Sequence, residues 1–333
     1  MNTEQIKELL ISEQYDFLRT NEHLKDNILL LTVGGSHAYG TDVETSDLDI
    51  RGITLERKQD VLGLSNFEVF ENQATDTTIY ALRKIIGLLL NCNPNTIEIL
   101  GTKPEHLFMI TEEGKLLRDN LDLFLSKRAI HSFGGYAMAQ LRRLQNALAR
   151  DEYPQPEKEK HILNSIKTQM EHLQRNYAEF TGEQINLYIA DSKKEDFETE
   201  IFIDIDLKHY PLRDLKCVYS EMSNVIKDYS KLNHRNRKKS TEGLLKHSMH
   251  LIRLLIMGSE ILEGEGVNTY RENDKDFLLE IRNGKYNYDQ IFQIIDEYEN
   301  KFKYACQHTV LPDNPDFQAI NDLIISIYEG RYF

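Results

Sequence analysis

Hydrophobic spacing divides the chain into two parts. Residues 3–25 set Ile6, Leu9, Leu10, Tyr15 and Leu18 at helical intervals, which predicts one amphipathic helix. The run Asn27-Ile-Leu-Leu-Leu-Thr-Val33 ends in Gly34-Gly35. It is too short for a helix and glycine closes it, the pattern of a buried strand. Leu48-Asp-Ile-Arg-Gly-Ile-Thr54 alternates as a second strand, and the β-branched Thr75-Asp-Thr-Thr-Ile-Tyr80 predicts a third. A helix over 80–91 should stop before Asn93-Pro94, because the residue ahead of a proline avoids the helical region.

Beyond about residue 120 the spacing turns helical, with helices expected over 126–150, 157–180, 211–229, 240–263, 289–306 and 316–329. Residues 185–208 read as a hairpin or ordered excursion, and Pro154 and Pro156 mark a linker or bend over 152–157. The expected architecture is therefore α+β: a strand-and-helix domain over 1–125, then a mostly helical domain over 126–333 with the hairpin inserted near 185–208.

Composition narrows the classes. With 333 residues the chain can bury a large core, and 40 Lys+Arg against 54 Asp+Glu give a net charge of −14. That balance weighs against a protein that coats long duplexes, which needs clustered cations to neutralise phosphates. No apolar run approaches the ~18 residues of a membrane span, so no membrane partner is expected. The acidic, amphipathic start lacks the features of a signal peptide. Cys92, Cys217 and Cys306 are far apart and form no C-x-x-C pair, so neither a disulfide framework nor a zinc knuckle is supported. The expected setting is the cytoplasm. Long helices and an acidic surface are compatible with a homodimer.

Chemistry concentrates in Gly34-Gly-Ser-His-Ala-Tyr-Gly40 and the following Thr41-Asp-Val-Glu-Thr-Ser-Asp-Leu-Asp-Ile-Arg-Gly52. A strand running into Gly-Gly-Ser can turn sharply, and a helix starting near Ser36 would offer backbone N–H donors to an anion. It is neither a Walker A loop nor a dinucleotide fingerprint, since no Gly-Lys-Ser/Thr and no G-x-G-x-x-G is present. Asp47 and Asp49, two apart on a strand, should share a face while Leu48 and Ile50 point to the core. Paired carboxylates repel unless protonated or neutralised by cations, and hard divalent ions suit them. Two such ions can serve an in-line phosphoryl displacement. Asp76 is the third carboxylate expected, ahead of Glu68 and Glu71. Asp204-Ile-Asp206 repeats the spacing without a glycine turn before it, and reads as an ordinary alternating strand.

On the 240–257 helix, Leu245, Met249, Ile252 and Ile256 form an apolar stripe. Lys246, His250 and Arg253 share the adjoining face at i, i+4 and i+7, where three cations would suit a triphosphate tail or form a solvated basic face. Lys231-Leu-Asn-His-Arg-Asn-Arg-Lys-Lys239 is either a nucleotide or nucleic-acid contact or a solvated loop. Arg51 could pair with the aspartates or reach a phosphate, Tyr39 should pack beneath the loop, and His37 caps a turn or touches substrate.

The string GSHAYG…SDLDIRG resembles the nucleotidyltransferase signature of the DNA polymerase beta superfamily, and within it the RNA repair pathway DNA polymerase beta family. Asp76-x-x-x-Tyr80-x-Leu82-x-Lys84, Asn93-Pro94-x-x-x-Glu98-x-Leu100 and Lys246-His247-x-x-His250-Leu-x-Arg253-Leu-Leu extend the likeness over most of the chain. The resemblance implies a mixed β-sheet flanked by helices, a bound nucleoside triphosphate (NTP or dNTP), and two Mg²⁺ (or Mn²⁺) ions. On this likeness Gly35 and Ser36 hold the β and γ phosphates, Asp47 and Asp49 bind both metals, and Asp76 binds the catalytic metal and assists deprotonation of the acceptor. The expected activity is transfer of NMP or dNMP to an acceptor hydroxyl with release of pyrophosphate. Untemplated addition to a short or single-stranded nucleic-acid end leads, ahead of nucleotidylation of a protein or small molecule. Self-priming from a mobile terminal Tyr332 and a non-catalytic nucleotide-sensing module are further alternatives.

Overall fold

The computed structural model describes residues 1–152, 185–191, 199–206 and 241–332, with scattered positions between 160 and 226. The helices expected over 157–180 and 211–229, the bend at 152–157 and the basic run at 231–239 lie wholly or largely outside them. The chain divides into two compact units, Met1–Ala139 with Ser248–Phe333, and Gln140–His247. The architecture is α+β, as the hydrophobic pattern predicts: a mixed sheet with helices, followed by mostly helical chain.

The first unit is organised on a five-stranded sheet in the order β3-β4-β2-β1-β5. Its strands are β1 (Ile28–Val33), β2 (Ile50–Thr54), β3 (Val69–Asn72), β4 (Thr77–Ala81) and β5 (Leu107–Ile110). β1 runs antiparallel to both β2 and β5, β2 is parallel to β4, and β3 is antiparallel to β4. Strands β1, β2 and β4 are those the apolar runs predict. Every residue of β1 is buried, as expected of a central strand covered on both faces. β3 and β5, only partly buried edge strands, carry no such run and were not legible.

The first helix differs from expectation. Instead of one helix over 3–25, α1 (Thr3–Ile11) ends at Ser12, and α2 (Phe17–Thr20) resumes after a single 3₁₀ turn. A capping box at Asn2 and Gln5 starts α1. The Arg19 guanidinium donates to the carbonyls of Leu10, Ile11 and Ser12, each at 3.0 Å. It thereby satisfies acceptors that the break would otherwise expose. The bend seats Tyr15 in the core, 2 % exposed.

The other helices follow in chain order: α3 (Gly35–Tyr39), α4 (Lys58–Leu62), α5 (Leu82–Leu89), α6 (Pro94–Leu100), α7 (Glu112–Asp119), α8 (Arg128–Glu152), α9 (Thr241–Glu263), α10 (Lys275–Arg282), α11 (Tyr288–His308) and α12 (Phe317–Tyr332). Between α8 and α9, Ile185–Asp191 pairs antiparallel with Thr199–Ile205, the hairpin expected near 185–208. Asp204 lies on that hairpin opposite Asn186. Along α9, Leu251, Ile252, Arg253, Leu254, Leu255, Ile256 and Met257 are all buried. Neighbours cover this part of the helix on every side, so the two-faced helix of the sequence becomes a core element. No helix among the described residues is long and apolar enough to cross a membrane.

Ile53 sits at the centre of the sheet, fully buried on β2 opposite Leu30 and beside Tyr80. Ile53→Ala is expected to cost about 2–5 kcal/mol, read as a fall in denaturant midpoint with an unchanged slope.

Candidate active site

The strand register brings three separated segments to one end of the sheet. Val33 pairs with Ile50, and Ile50 with Thr77. The next positions outward are Gly34, at the exit of β1, and Asp49 and Asp76, at the entries of β2 and β4. The row is tied by Gly34 N–H donating to Asp49 O at 2.8 Å and Ile50 N–H donating to Asp76 O at 3.1 Å. An antiparallel pair beside a parallel pair therefore gathers the glycine turn and two of the three aspartates.

Gly35 opens α3 with φ +52°, and a Cβ there would lie 2.0 Å from Asp49 Oδ2. Only glycine meets both demands, a left-handed backbone and room for a carboxylate pressed against the turn. Ser36, next along, is 8 % exposed. Gly40 closes the short helix at φ +72°, and a Cβ on it would strike the Tyr270 ring at 2.5 Å. Arg271 N–H donates to Tyr39 O at 3.1 Å, so the 270–271 segment holds α3 from behind.

Arg51 extends from β2 on the same side as Asp49. Its Nη2 donates to Asp49 Oδ1 at 2.8 Å and to Asp76 Oδ1 at 3.1 Å, and its Nη1 donates to Asp76 O at 2.6 Å. One guanidinium thus bridges two neighbouring carboxylates and offsets part of their charge, the ion-pairing role open to Arg51 in the sequence. Asp76 itself adopts φ +42°, a conformation disfavoured for residues other than glycine and best tolerated by Asn and Asp. Asp47, two residues before Asp49, is exposed. Among the described residues no cluster of three His, Cys, Asp or Glu side chains forms a metal site. The donors are nonetheless all carboxylate oxygens, the chemistry that hard divalent ions select, and a positive charge already stands between two of them.

Behind the glycine turn lies a buried polar group. Tyr39, 1 % exposed, donates its hydroxyl to Glu98 Oε2, and the Arg253 guanidinium carbon stands 3.2 Å from the centre of the Tyr39 ring. Tyr39 packs beneath the loop as expected. Burial pushes the Glu98 carboxyl up to about 7, against the lowering pull of Arg253. Arg253, 6 % exposed, leaves Nε and Nη1 without hydrogen-bond partners. It is therefore a core cation beneath α3, not part of an exposed basic face, because the helix carrying it is enclosed. His250 is half-buried on the same helix; Lys246 is exposed and belongs to the other unit. His37 is buried with Nδ1 3.4 Å from Asp42 Oδ2, and burial is the main cause lowering its pKa.

The terminal tyrosine is docked rather than mobile. Tyr332 donates its hydroxyl to Glu56 O and stacks on Tyr328, which donates to Glu56 Oε2 at 2.6 Å. Glu56 lies past the far end of β2 from Asp49, roughly 20 Å away at strand rise. Glu68, a weaker carboxylate candidate, is paired with Lys84 at 2.7 Å, and Glu71 lies on edge strand β3.

Sequence patterning did not single out Tyr270, Arg271 or Arg282. Arg282 donates to Thr41 O at 2.6 Å and Ser46 Oγ at 3.2 Å. In the sequence it is only a basic residue in the last turn of a short helix, favoured there by the helix dipole. Nothing local marks it as a partner of a loop more than 200 residues away.

The family model of the RNA repair pathway DNA polymerase beta family matches residues 6–326, and the chain belongs to that family. It is a nucleotidyltransferase of the DNA polymerase beta superfamily. No curated protein and no solved structure matches the chain.

Two outcomes follow. Gly35→Ala should leave the protein folded at a cost of about 1–2 kcal/mol while displacing Asp49, with nucleotidyl transfer down by about 100-fold or more; thermal melts and product assays separate the two effects. Because the native pKa of Glu98 is raised, the folded state binds its proton more tightly than the unfolded state. Its contribution to stability is present below about pH 4.5 and is lost as pH rises toward about 7. Glu98→Gln should remove that fall, so denaturant midpoints of the variant should lose less than wild type between pH 5 and pH 7.5.

Proposed function

We propose that the protein transfers a nucleoside monophosphate from an NTP or dNTP to an acceptor hydroxyl, and that the acceptor is the end of a short or single-stranded nucleic acid extended without a template. The observation that carries the reading is the convergence of Gly35, Asp49 and Asp76, with Arg51 between the two carboxylates. The acceptor oxygen forms a bond to the α phosphorus, the bond to the bridging oxygen breaks, and pyrophosphate leaves. Asp76, more exposed than Asp49 (55 % against 21 % for the side chain), takes the hydroxyl proton. Gly35 and Ser36 present backbone donors to the β and γ phosphates. Arg51 balances the carboxylates and reaches toward the phosphates once they are bound. The buried Arg253 adds positive potential behind the turn.

Asp47, Asp49 and Asp76 would hold Mg²⁺ or Mn²⁺. Such ions supply neutralisation of the phosphate charge and activation of the attacking oxygen. The remaining contribution is positional: the sheet holds Asp49 and Asp76 beside the glycine turn, so little reorganisation of these two is needed during transfer.

The net charge of −14 favours a short acceptor over a long duplex. Self-priming by Tyr332 within one chain is disfavoured by its anchorage at Glu56. A sensing module without catalysis would have no use for the strained Asp76 backbone beside an intact pair of acids.

The test is incubation with Mg²⁺ or Mn²⁺ and each of the NTPs and dNTPs, with and without an oligonucleotide. Extension of the oligonucleotide and pyrophosphate release are expected, reduced by about 100-fold or more in Asp49→Ala. A variant as active as wild type with every nucleotide would sink the reading. Intact-mass measurement of the protein after each incubation distinguishes transfer to the chain itself.

A further inference from the structure

Residues 41–49 link α3 to β2 and deliver both members of the acid pair. The two ends of this loop are tied to the glycine turn: Thr41 N–H donates to Ser36 O at 2.9 Å, and Gly34 N–H donates to Asp49 O at 2.8 Å. Inside it, Ser46 N–H donates to Val43 O at 2.9 Å and Val43 N–H donates to Ser46 Oγ at 2.9 Å. Asp47 follows immediately. It is exposed, and among the described residues its carboxylate has no hydrogen-bond or ion-pair partner. Its position is therefore set by its backbone alone.

That backbone is held from outside the loop. Arg282, the last residue of α10, is 7 % exposed. Its Nη1 donates to Thr41 O at 2.6 Å and its Nη2 to Ser46 Oγ at 3.2 Å. The two arms span the turn from its first residue to the one before Asp47. Burying a guanidinium against neutral acceptors is costly, and among the described residues no carboxylate is ion-paired with it. The surrounding loop carries Asp42, Glu44 and Asp47, so the cation sits in a segment of net negative charge. A lysine could not reproduce the contact, because a single ammonium lacks the planar fork that reaches two acceptors.

From this we infer that Arg282 is a positioning residue for nucleotidyl transfer, fixing Asp47 beside Asp49 through Thr41 and Ser46 without touching substrate. The inference rests on the acid pair acting as proposed above, and its test separates the two. Amide exchange reads the loop directly. In Arg282→Ala, exchange at Thr41, Val43 and Ser46 should accelerate by about tenfold or more, with partial return in Arg282→Lys. The Mg²⁺ concentration for half-maximal pyrophosphate release should rise several-fold, and kcat should fall by about tenfold. Ser46→Ala, which keeps Arg282 and its bond to Thr41 but also removes the Val43 N–H bond to Ser46 Oγ, should reproduce part of both effects. Should Arg282→Ala fail to fold, Arg282→Lys and Ser46→Ala carry the same comparison.

Unchanged exchange in the loop overturns the inference. So does accelerated exchange with kcat and Mg²⁺ dependence within twofold of wild type. A wild-type protein that releases no pyrophosphate from any nucleotide overturns the functional reading instead, and amide exchange alone then decides whether Arg282 holds the loop.

Discussion

An oxygen of Asp49 occupies the space where any side chain on residue 35 would begin. The glycine turn and the acid are therefore one object: the backbone bends sharply because no Cβ is present, and the carboxylate rests against the bend. The register of β1, β2 and β4 makes this contact reproducible, since each strand end is tied to the next by a backbone hydrogen bond. Arg51 then stabilises the close carboxylates of Asp49 and Asp76 with one guanidinium, whose charge relieves their repulsion.

The helices of residues 248–333 contribute more than a covering layer. Tyr270 fills the space behind Gly40, Arg271 binds the last carbonyl of α3, and Arg253 lies beneath the Tyr39 ring. With Arg282 on the acidic loop, four residues from this part of the chain buttress a turn encoded near residue 35. The arrangement has a physical logic. A five-residue helix is too short to be stable by its own hydrogen bonds, so its orientation must come from tertiary contacts.

The central strands were legible because their runs are short, apolar, alternating or β-branched, and the first is closed by glycine. Asp49 and Asp76 were legible as candidates through the motif, but the alternation expected to align Asp47 with Asp49 does not operate, since both precede β2 at Ile50. Edge strands β3 and β5 were not, since a half-exposed strand of four residues leaves little periodic signal. The first helix was read too long because its break depends on Arg19 reaching back to three carbonyls. Arg253 was placed on a face open to a triphosphate or to solvent because helical periodicity reports two faces, whereas α9 is enclosed where Arg253 lies.

Alternation, glycine placement and charge thus determined the α+β class, the central strands and the candidate acids, all properties of residues near one another in the chain. Only the tertiary structure decided which cations meet those acids, that Tyr332 is tethered at the far end of β2, and that Arg282 braces the loop before Asp47. These outcomes depend on packing between segments distant in sequence. Local pattern carries no record of such contacts, because the residues that make them satisfy the same helical preferences wherever the helix is placed.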